Sequence, residues 1–333
     1  MSDTPLISIL IPMFNAEETI ARCLDSVITQ EPQIYEILIV DDGSADTSCQ
    51  IVQQYAEKYP AVTVLRQANS GVAAARQKLI QSAKGEYIMF LDADDYFEPN
   101  VIQTVYQNIS ADTSHSIDVF IYGYNLVRTF GNKNIMHRQL REGIHTKSEI
   151  AKHHINGLHD LYYSVLWNKC YKASICKSPE ITFEKHFEDG LFNLDYFGKC
   201  SQIAVCEKTI YNYVQIGESL TRNSHSEKKP KDNTNAIRGN VETYQTMTNK
   251  ALAAYPSENM TISEYIYMQM VRVKKQNSSA DINAVPEFTE MFKKLKKQLG
   301  FRTARITLKA AVYNTKQKCK AIAKGILTKI KKG

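Results

Sequence analysis

The chain has 333 residues, of which 43% are hydrophobic and 23% are charged, a composition typical of a soluble globular protein with a substantial core. Seven cysteines without a Cys-x-x-Cys pair match no common zinc template and favour reduced thiols. No apolar run approaches the roughly 20 residues of a membrane-spanning helix. We also expect no signal peptide, because the first residues lack a basic stretch followed by an apolar one.

Predicted strands and helices alternate over the first hundred residues. Strands are predicted at 6–11, 37–40, 62–65 and 87–91, and helices at 47–59, 71–83 and 99–109. Another helix is predicted directly after Pro12, with Asn15 as its cap and Glu18 completing a capping box. Strands that are apolar on both faces, at this spacing, predict a mostly parallel sheet with helices on either side.

The pattern becomes less regular after a further predicted strand at 118–124. A charged, polar stretch at 224–235 is interpreted as a loop or hinge, and helical periodicity returns at 237–247 and 262–275. Residues 291–333 then carry 14 Lys or Arg and no Asp or Glu, whereas the other 290 residues have a net charge of −8. The formal charge of +6 therefore combines an acidic body with a basic tail.

Acidic residues follow two of the predicted strands. Asp92, Asp94 and Asp95 come after strand 87–91, and the segment Asp41-Asp42-Gly43-Ser44 comes after strand 37–40. In open parallel sheets, ligands bind at the carboxyl ends of strands. Carboxylates at such density repel one another unless a cation lies among them or one of them is protonated, and hard oxygen ligands suit Mg²⁺ or Mn²⁺ together with substrate phosphates. The pattern predicts a metal–phosphate site, although turn chemistry at 41–44 and a solvated loop at 92–94 stay open as alternatives.

An ordered set of motifs over roughly residues 5–222 resembles the family 2 glycosyltransferases. The motifs are Pro12-Met13-Phe14-Asn15, Val40-Asp41-Asp42-Gly43-Ser44, Asn69-Ser70-Gly71 with Arg76, Gly85-Glu86-Tyr87, Phe90-Leu91-Asp92-Ala93-Asp94-Asp95, Trp167-Asn168-Lys169, Phe187-Glu188-Asp189-Gly190-Leu191-Phe192, Tyr211-Asn212-Tyr213 and Ser219-Leu220-Thr221. The resemblance implies a GT-A fold and an inverting transfer of sugar from a nucleotide-sugar, commonly a UDP-sugar, to a hydroxyl group.

The resemblance also implies roles for individual residues. Asp94 would bind the metal, Mn²⁺ or Mg²⁺, and Asp189 would be the general base. Acceptor-side residues would be Trp167, Lys169 and Glu188. The nucleotide-sugar would be bound by Pro12, Phe14, Asp41, Asn69, Arg76, Asp92 and Ala93. Weaker candidates in a donor-covering loop are Ser219, Arg222 and His225, for which a plain surface loop is the alternative.

Several of these residues also have ordinary structural interpretations. Glu188 and Asp189 suit the first turn of a helix, where acidic side chains are favoured. Arg76 could be a solvated helix residue, and Trp167 could belong to the core. These alternatives stay open at the level of the sequence.

The predicted organisation is an α/β, GT-A Rossmann-like domain with a helical C-terminal extension. The catalytic domain would span 1–223, with a nucleotide-binding half at about 1–110 and an acceptor half at about 111–223. A helical extension at 224–290 and a basic amphipathic tail at 291–333 would follow. The helical region after Asn235 is a candidate oligomer interface.

The predicted function is sugar transfer to a glycan or lipid-linked glycan in cell-surface polysaccharide synthesis, at the cytoplasmic face of the membrane. The basic tail would bind an anionic membrane surface, or would be merely solvated. We expect no nucleic-acid partner, because the acidic body offers no groove that continues the basic patch. Two alternatives are a non-catalytic nucleotide-sugar-binding scaffold and an Asp-x-Asp phosphohydrolase. In the latter, however, the motif usually ends the first strand.

Overall fold

In a computed structural model, the described residues are 6–32, 35–129, 132–135, 141–156, 161–184, 187–215 and 234–307. The chain divides into two compact units, Met1–Glu227 and Lys228–Gly333. The predicted donor-covering loop residues Ser219, Arg222 and His225 lie outside the described residues, as does most of the predicted 224–235 loop. Every helix in the described ranges is too short or too polar to cross a bilayer.

The first unit begins with four parallel strands joined by helices. In chain order these elements are β1 (Ile7–Met13), α1 (Ile20–Ile28), β2 (Tyr35–Asp41), α2 (Ser48–Lys58), β3 (Val62–Arg66), α3 (Val72–Ser82) and β4 (Tyr87–Phe90). The strands lie in the order β3-β2-β1-β4, and all three pairings are parallel. β4 is buried along its whole length, as its apolar sequence predicts.

The start of α1 differs from the prediction. β1 runs through Pro12 to Met13, and α1 begins only at Ile20. Asn15 does not cap the helix, because it has a left-handed φ of 47° and its Oδ1 accepts a hydrogen bond from Ala45 N at 2.9 Å. The side chain that was expected to begin a helix instead connects two loops at the strand ends.

The rest of the first unit adds strands of both directions. The elements are β5 (Tyr96–Phe97), α4 (Val101–Ala111), β6 (Val119–Thr129), β7 (Asn132–Ile135), β8 (Gly143–Thr146), α5 (Lys147–Asn156), α6 (Leu161–Ser164), β9 (Lys169–Lys172), α7 (Ala173–Cys176), α8 (Glu188–Lys199) and β10 (Gln202–Val214). The sheet continues from β4 as β9-β6-β10-β5, with β7 beside β6 and β8 beside β10. β9 is antiparallel to both of its neighbours, so the whole sheet is mixed and only its N-terminal half is parallel throughout.

The second unit is described by its helices α9 (Thr234–Ala254), α10 (Asn259–Gln276), α11 (Ser279–Asn283) and α12 (Pro286–Leu299). The predicted helical patterns at 237–247 and 262–275 lie inside α9 and α10. Tyr267 of α10 stacks on Phe292 of α12 with ring centroids 4.9 Å apart. Of the predicted basic tail at 291–333, the structure describes residues 291–307.

Candidate functional site

Three loops meet at the carboxyl ends of β1 and β2. Asn15 N donates to Ser44 Oγ at 3.0 Å, which connects the loop after β1 to the loop after β2. Asp42 is buried, and its carboxylate accepts hydrogen bonds from the backbone N–H groups of Ser70 (2.9 Å) and Gly71 (2.8 Å). The structure thereby brings together four of the predicted nucleotide-binding residues, Pro12, Phe14, Asp41 and Asn69.

The chain passes unusually close to itself at Gly43. This residue has a φ of +80°, and a Cβ atom there would lie 2.9 Å from Asn69 N. Only glycine tolerates both the backbone angle and the close approach. Glycine at this position therefore lets the loop after β3 close against the loop after β2.

Asp41 is fully buried at the end of β2. Its Oδ1 accepts from Ser44 N at 2.9 Å, so the turn chemistry that the sequence left open is present. Its Oδ2 forms an ion pair with Arg66 Nε at 3.2 Å. The turn bond uses Oδ1, and Oδ2 accepts no hydrogen bond from the described residues.

The acidic segment after β4 separates into two parts. Asp94 is exposed, and Ala93 is buried between Asp92 and Asp94. Asp95 is fully buried, and its carboxylate accepts from Tyr211 Oη (2.8 Å) and Val214 N (2.7 Å) of β10. The expectation that three carboxylates cluster around one cation is therefore wrong for Asp95, because β10 supplies its partners.

Arg76 of α3 connects the acidic motif after β4 with the acidic first turn of α8. Its Nη2 lies 3.0 Å from Asp92 Oδ1, and its Nη1 lies 3.1 Å from Glu188 Oε1 and 2.5 Å from Asp189 Oδ1. The residue is only 4% exposed, so the alternative of a solvated helix residue is wrong. These three carboxylates raise the pKa of Arg76, against the opposing effect of its burial. Arg76 thus joins Asp92 to two acidic residues that lie 96 and 97 positions further along the chain, and it contacts carboxylates where the sequence suggested a diphosphate.

Asp189 lies in the first turn of α8, with its side chain 23% exposed. Burial raises its pKa to about 7, helped by Glu188 and Asp92 and opposed by Arg76. The turn before it is tightly constrained, because Phe187 has a left-handed φ of 55° and its ring occupies the space that a Cβ on Gly190 would need. This packing fixes the helix end that carries the carboxylate.

The residues around Asp94 suit a divalent cation. Arg76 supplies one positive charge against Asp92, Glu188 and Asp189, so this part of the site carries a formal excess of negative charge. Although its side chain is exposed, desolvation by the surrounding protein and the charge of Asp92 raise the pKa of Asp94, and Arg22 opposes them. No set of three His, Cys, Asp or Glu side chains that could hold a metal occurs in the described residues. A cation here would thus take one or two carboxylates, with the remaining ligands from phosphate and water, as Mg²⁺ commonly does.

The predicted acceptor-side residues Trp167 and Lys169 are buried. Trp167 is 3% exposed and stacks on Tyr211, with ring centroids 4.4 Å apart. Lys169 Nζ donates to the backbone oxygens of Tyr162 (3.1 Å) and Val165 (2.6 Å). These two side chains present almost no exposed surface and their acceptor-side role stays a prediction, whereas Glu188 is partly exposed.

The sequence did not single out Arg22, and it gave Tyr211 no role beyond its place in the motif Tyr211-Asn212-Tyr213. Arg22 Nη2 donates to the backbone oxygen of Asp94 at 2.6 Å. The sequence signal that could have suggested this contact is the position of Arg22 on α1, the helix that follows β1. Tyr211 Oη accepts from Asp92 N at 3.2 Å and donates to Asp95. One hydroxyl group thus holds both ends of the Asp92–Asp95 segment.

Replacing Tyr211 with phenylalanine should lower the free energy of unfolding by about 1–3 kcal/mol, because it leaves a buried carboxylate without one of its donors. Urea denaturation measures this change. The matched control is Tyr106→Phe, since Tyr106 is 42% exposed on α4 and the substitution there should change stability by less than about 0.5 kcal/mol. Equal stability of Tyr211→Phe and the unmodified protein would contradict the assigned role of this hydroxyl.

The sequence is similar to those of known glycosyltransferases. A family model described as Glycosyl transferase family 2 matches residues 8–166. The chain is 29% identical over 224 residues to the uncharacterized glycosyltransferase EpsJ of Bacillus subtilis, a match that covers 65% of this chain and 63% of that protein. It is 34% identical over 216 residues to a poly(ribitol-phosphate) beta-glucosyltransferase of Bacillus spizizenii, covering 62% of this chain and 32% of the relative. The chain thus spans less than two thirds of the length of these relatives.

A solved structure shows the same architecture. The crystal structure of S. aureus TarS 1-349 in complex with UDP-GlcNAc superposes with a TM-score of 0.65 at 20% identity, covering 91% of this chain and 88% of that one. Together with the mixed α/β sheet and its helical C-terminal extension, this similarity shows the GT-A fold. Over residues 8–166, just under half of its length, the chain is similar to glycosyl transferase family 2.

Proposed function

We propose that this protein transfers a sugar from a UDP-sugar to a hydroxyl group of a glycan or lipid-linked glycan in bacterial surface polysaccharide synthesis, with inversion at the anomeric carbon. The observation that carries the proposal is the buried Arg76, which holds Asp92 of one motif against Asp189 of another beside the strand ends. A donor bound at Asp92 and a base at Asp189 would then face the same reacting carbon.

The preference for a uridine nucleotide rests on Asp41, at the end of β2. A buried carboxylate at the end of β2 is suited to accept a hydrogen bond from the N3–H group of uracil. Met13 at the end of β1 pairs with Asp41, and it is flanked in the chain by Pro12 and by Phe14, whose ring is exposed. TarS, which shares the fold, has been crystallised with UDP-GlcNAc and with UDP.

The reaction requires neutralisation of the charge on the diphosphate leaving group and removal of the proton from the acceptor hydroxyl. A divalent ion bound at Asp94 would act as a Lewis acid on the diphosphate leaving group. Asp189 would accept the proton of the acceptor hydroxyl as that oxygen attacks the anomeric carbon. A single displacement from the opposite face inverts the anomeric centre and needs no carboxylate nucleophile. Arg76 would orient Asp92 and Asp189 and limit the rise in the pKa of Asp189.

Substitution of Asp94 by asparagine should abolish metal-stimulated donor breakdown, because the carboxylate that binds the cation is lost. The measurement is UDP release from UDP-GlcNAc without acceptor, with and without Mn²⁺. Glu57→Gln is the matched control, since it removes a carboxylate from the exposed side of α2 and should leave the stimulation unchanged. Equal Mn²⁺ stimulation in Asp94→Asn would contradict the metal assignment.

The same assay separates the two alternative functions. A non-catalytic scaffold would bind UDP-GlcNAc without releasing UDP at any Mn²⁺ concentration. A phosphohydrolase would cleave a generic phosphate monoester, using the first Asp of the motif as its nucleophile. Asp92 Oδ1 lies 3.0 Å from Arg76 Nη2, and this contact disfavours Asp92 as the nucleophile of a phosphohydrolase.

The proposed location is the cytoplasmic face of the membrane, reached through the basic C-terminal region. α12 exposes four lysines, Lys293, Lys294, Lys296 and Lys297, and Phe301 directly after it is 95% exposed. Basic side chains beside an exposed aromatic ring suit an anionic lipid surface, where each lysine contributes about 1 kcal/mol.

We expect the protein to sediment with vesicles containing phosphatidylglycerol and not with neutral phosphatidylcholine vesicles. Because the attraction is electrostatic, binding should fall as salt rises from 0.05 to about 0.5 M. Replacing the four lysines with glutamine should weaken binding at least about tenfold. Unchanged binding by this variant, or equal binding to both vesicles, would contradict a charge-based membrane contact.

A further inference from the structure

A cluster of three buried polar side chains joins β9 to α8, the helix that carries Asp189. Lys169 and Tyr171 come from β9 and Asn193 comes from α8, and all three are fully buried. The proposed reaction steps use none of them. Because burial of a polar group is unfavourable unless the group is hydrogen-bonded, the partners of this cluster indicate its role.

Lys169 Nζ binds the end of the short helix α6. It donates to the backbone oxygens of Tyr162 (3.1 Å) and Val165 (2.6 Å) and to Asn168 Oδ1 (2.7 Å). An ammonium group has three N–H donors, whereas a neutral amine has two, so three acceptors around one nitrogen select the charged form. The cluster therefore holds a positive charge inside the first unit.

Asn193 connects the same chain segment to α8. Its Nδ2 donates to the backbone oxygens of Ser164 (2.9 Å) and Val165 (3.1 Å), and its Oδ1 accepts from Tyr171 Oη at 2.8 Å. Val165 O is thus shared by Lys169 Nζ and Asn193 Nδ2. Since both polar atoms of the amide have partners, α8 can rotate or slide here only by breaking buried hydrogen bonds.

The cluster acts one helical turn away from Asp189. Asn193 follows Asp189 by four residues, which places the two side chains on the same face of α8. Arg76 contacts the carboxylate of Asp189 from α3, and the cluster holds its helix from β9 and α6. Such support affects a reaction strongly, because a shift of about 1 Å in a reacting group can lower the rate by about 100-fold.

We propose that Lys169, Tyr171 and Asn193 are positioning residues, which hold the first turns of α8 so that Asp189 faces the acceptor hydroxyl. The inference rests on the proposed role of Asp189 as the base. In this arrangement the motif Trp167-Asn168-Lys169 supports the reaction from inside the fold, through α8, and Lys169 needs no contact with the acceptor.

The charge of Lys169 gives this role a measurable signature. Burial raises the pKa of Asp189 to about 7; Arg76 and Lys169 lower it, whereas Glu188 and Asp92 raise it. Loss of the lysine charge should therefore raise the pKa of Asp189 further. Because the base must be ionised, the pH profile of kcat/KM should then move to higher pH.

The neighbouring titratable groups do not interfere with this signature. Burial and the charge of Lys169 lower the pKa of His154 to about 3. Burial raises the pKa of Tyr171 well above its ordinary value. Neither group changes its charge near neutral pH, so a shifted profile in a Lys169 variant reports Asp189.

The first test removes the buried charge by Lys169→Met, which keeps a side chain of similar length. Lys172→Met is the matched control. Lys172 lies on the same strand, and its Nζ donates to the backbone oxygen of His115 at 2.7 Å. Both substitutions thus remove a lysine that binds a backbone oxygen, and the first of them removes a partner of the α6 end.

The second test removes one hydroxyl group by Tyr171→Phe, which keeps the ring and takes the donor away from Asn193 Oδ1. Tyr122→Phe is the matched control. Tyr122 is also fully buried in the sheet, on β6, and its hydroxyl accepts from Asn108 Nδ2 of α4 at 3.0 Å. The two substitutions are chemically identical, and the first one touches the cluster.

The probe is UDP-GlcNAc with Mn²⁺ and with water as the acceptor, from which Asp189 would take a proton as it would from a sugar hydroxyl. The readouts are kcat for UDP release, KM for UDP-GlcNAc and the pH profile of kcat/KM. Urea denaturation confirms that each variant is folded, and Asp189→Asn is measured beside them.

We expect Lys169→Met to lower kcat at least about tenfold while KM changes less than about twofold, the pattern of an interaction that matters in the transition state. Its pH profile should move to higher pH. Tyr171→Phe should lower kcat at least about threefold, with KM and the pH profile unchanged. Lys172→Met and Tyr122→Phe should match the unmodified protein in all three readouts.

A merely structural role would lower the stability of the variants and leave kcat of the folded protein and the pH profile unchanged, and that result would overturn the inference. If Lys169→Met does not fold, Tyr171→Phe decides, because a kcat equal to that of Tyr122→Phe also overturns it. Full UDP release by Asp189→Asn, or none by the unmodified protein, would instead contradict the proposed role of Asp189, so the two failures are distinguishable.

Discussion

Replacing Asp189 with asparagine is expected to lower the rate of sugar transfer by about 10²–10⁴-fold, the usual contribution of a general base. Asparagine has nearly the same shape but cannot accept the proton of the acceptor hydroxyl. The affinity for UDP should change less than about threefold, because the nucleotide is proposed to bind at Asp41, at the end of β2. Transfer to a glycan acceptor and UDP binding by calorimetry measure the two quantities separately.

Glu188→Gln is the matched control for this substitution. Glu188 and Asp189 are adjacent, both contact Arg76 Nη1, and their side chains are 26% and 23% exposed. Both substitutions remove one carboxylate from the same guanidinium. If Glu188→Gln lost as much transfer activity as Asp189→Asn, the loss would reflect Arg76 and its surroundings, and Asp189 could not be assigned as the base.

The raised pKa of Asp189 predicts the pH dependence of the same reaction. A base must be ionised to accept a proton, and its pKa of about 7 means that ionised Asp189 becomes the major form only above neutral pH. The value of kcat/KM should therefore rise about tenfold per pH unit below 7 and level off above it. A flat profile between pH 5.5 and 8 would contradict the assignment of this carboxylate.

Part of this site could be predicted because strand ends are visible in a sequence. Asp41 and Asp92 each follow an apolar strand, and parallel pairing of β1 with β2 and β4 brings those strand ends to one edge of the sheet. Local composition is sufficient for such a prediction. Asp189 was identified from the order of the family motifs, because it does not follow any predicted strand.

The remaining features depend on contacts between distant segments. The partners of Arg76 lie 16, 112 and 113 positions away, so nothing near Arg76 in the chain identifies them. Asp95 resembles Asp94 in the sequence, yet it is buried because Tyr211 and Val214 of β10 supply its donors. β10 itself is a 13-residue strand with register shifts, which removes the regular alternation that a strand prediction needs.

Substituting Arg76 by methionine is expected to destabilise the first unit by about 3–5 kcal/mol. The change removes the positive partner of Asp92, Glu188 and Asp189 and leaves their charges without compensation in a partly buried site. Arg302→Met is the matched control, because Arg302 pairs with Glu264 while remaining 53% exposed, and such pairs contribute about 0–1 kcal/mol. Urea denaturation of both variants, with UDP added and omitted, measures the difference.

Arg76→Lys separates the charge of this residue from its geometry. Lysine keeps the positive charge but lacks the planar fork that lets two guanidinium nitrogens contact different carboxylates at once. If the main role of Arg76 is to hold Asp92 and Asp189 in register, Arg76→Lys should recover much of the stability and little of the transfer activity. Recovery of both would mean that one positive charge at this position is sufficient, and that the alignment of the donor and base carboxylates is set by α3, β4 and α8 themselves.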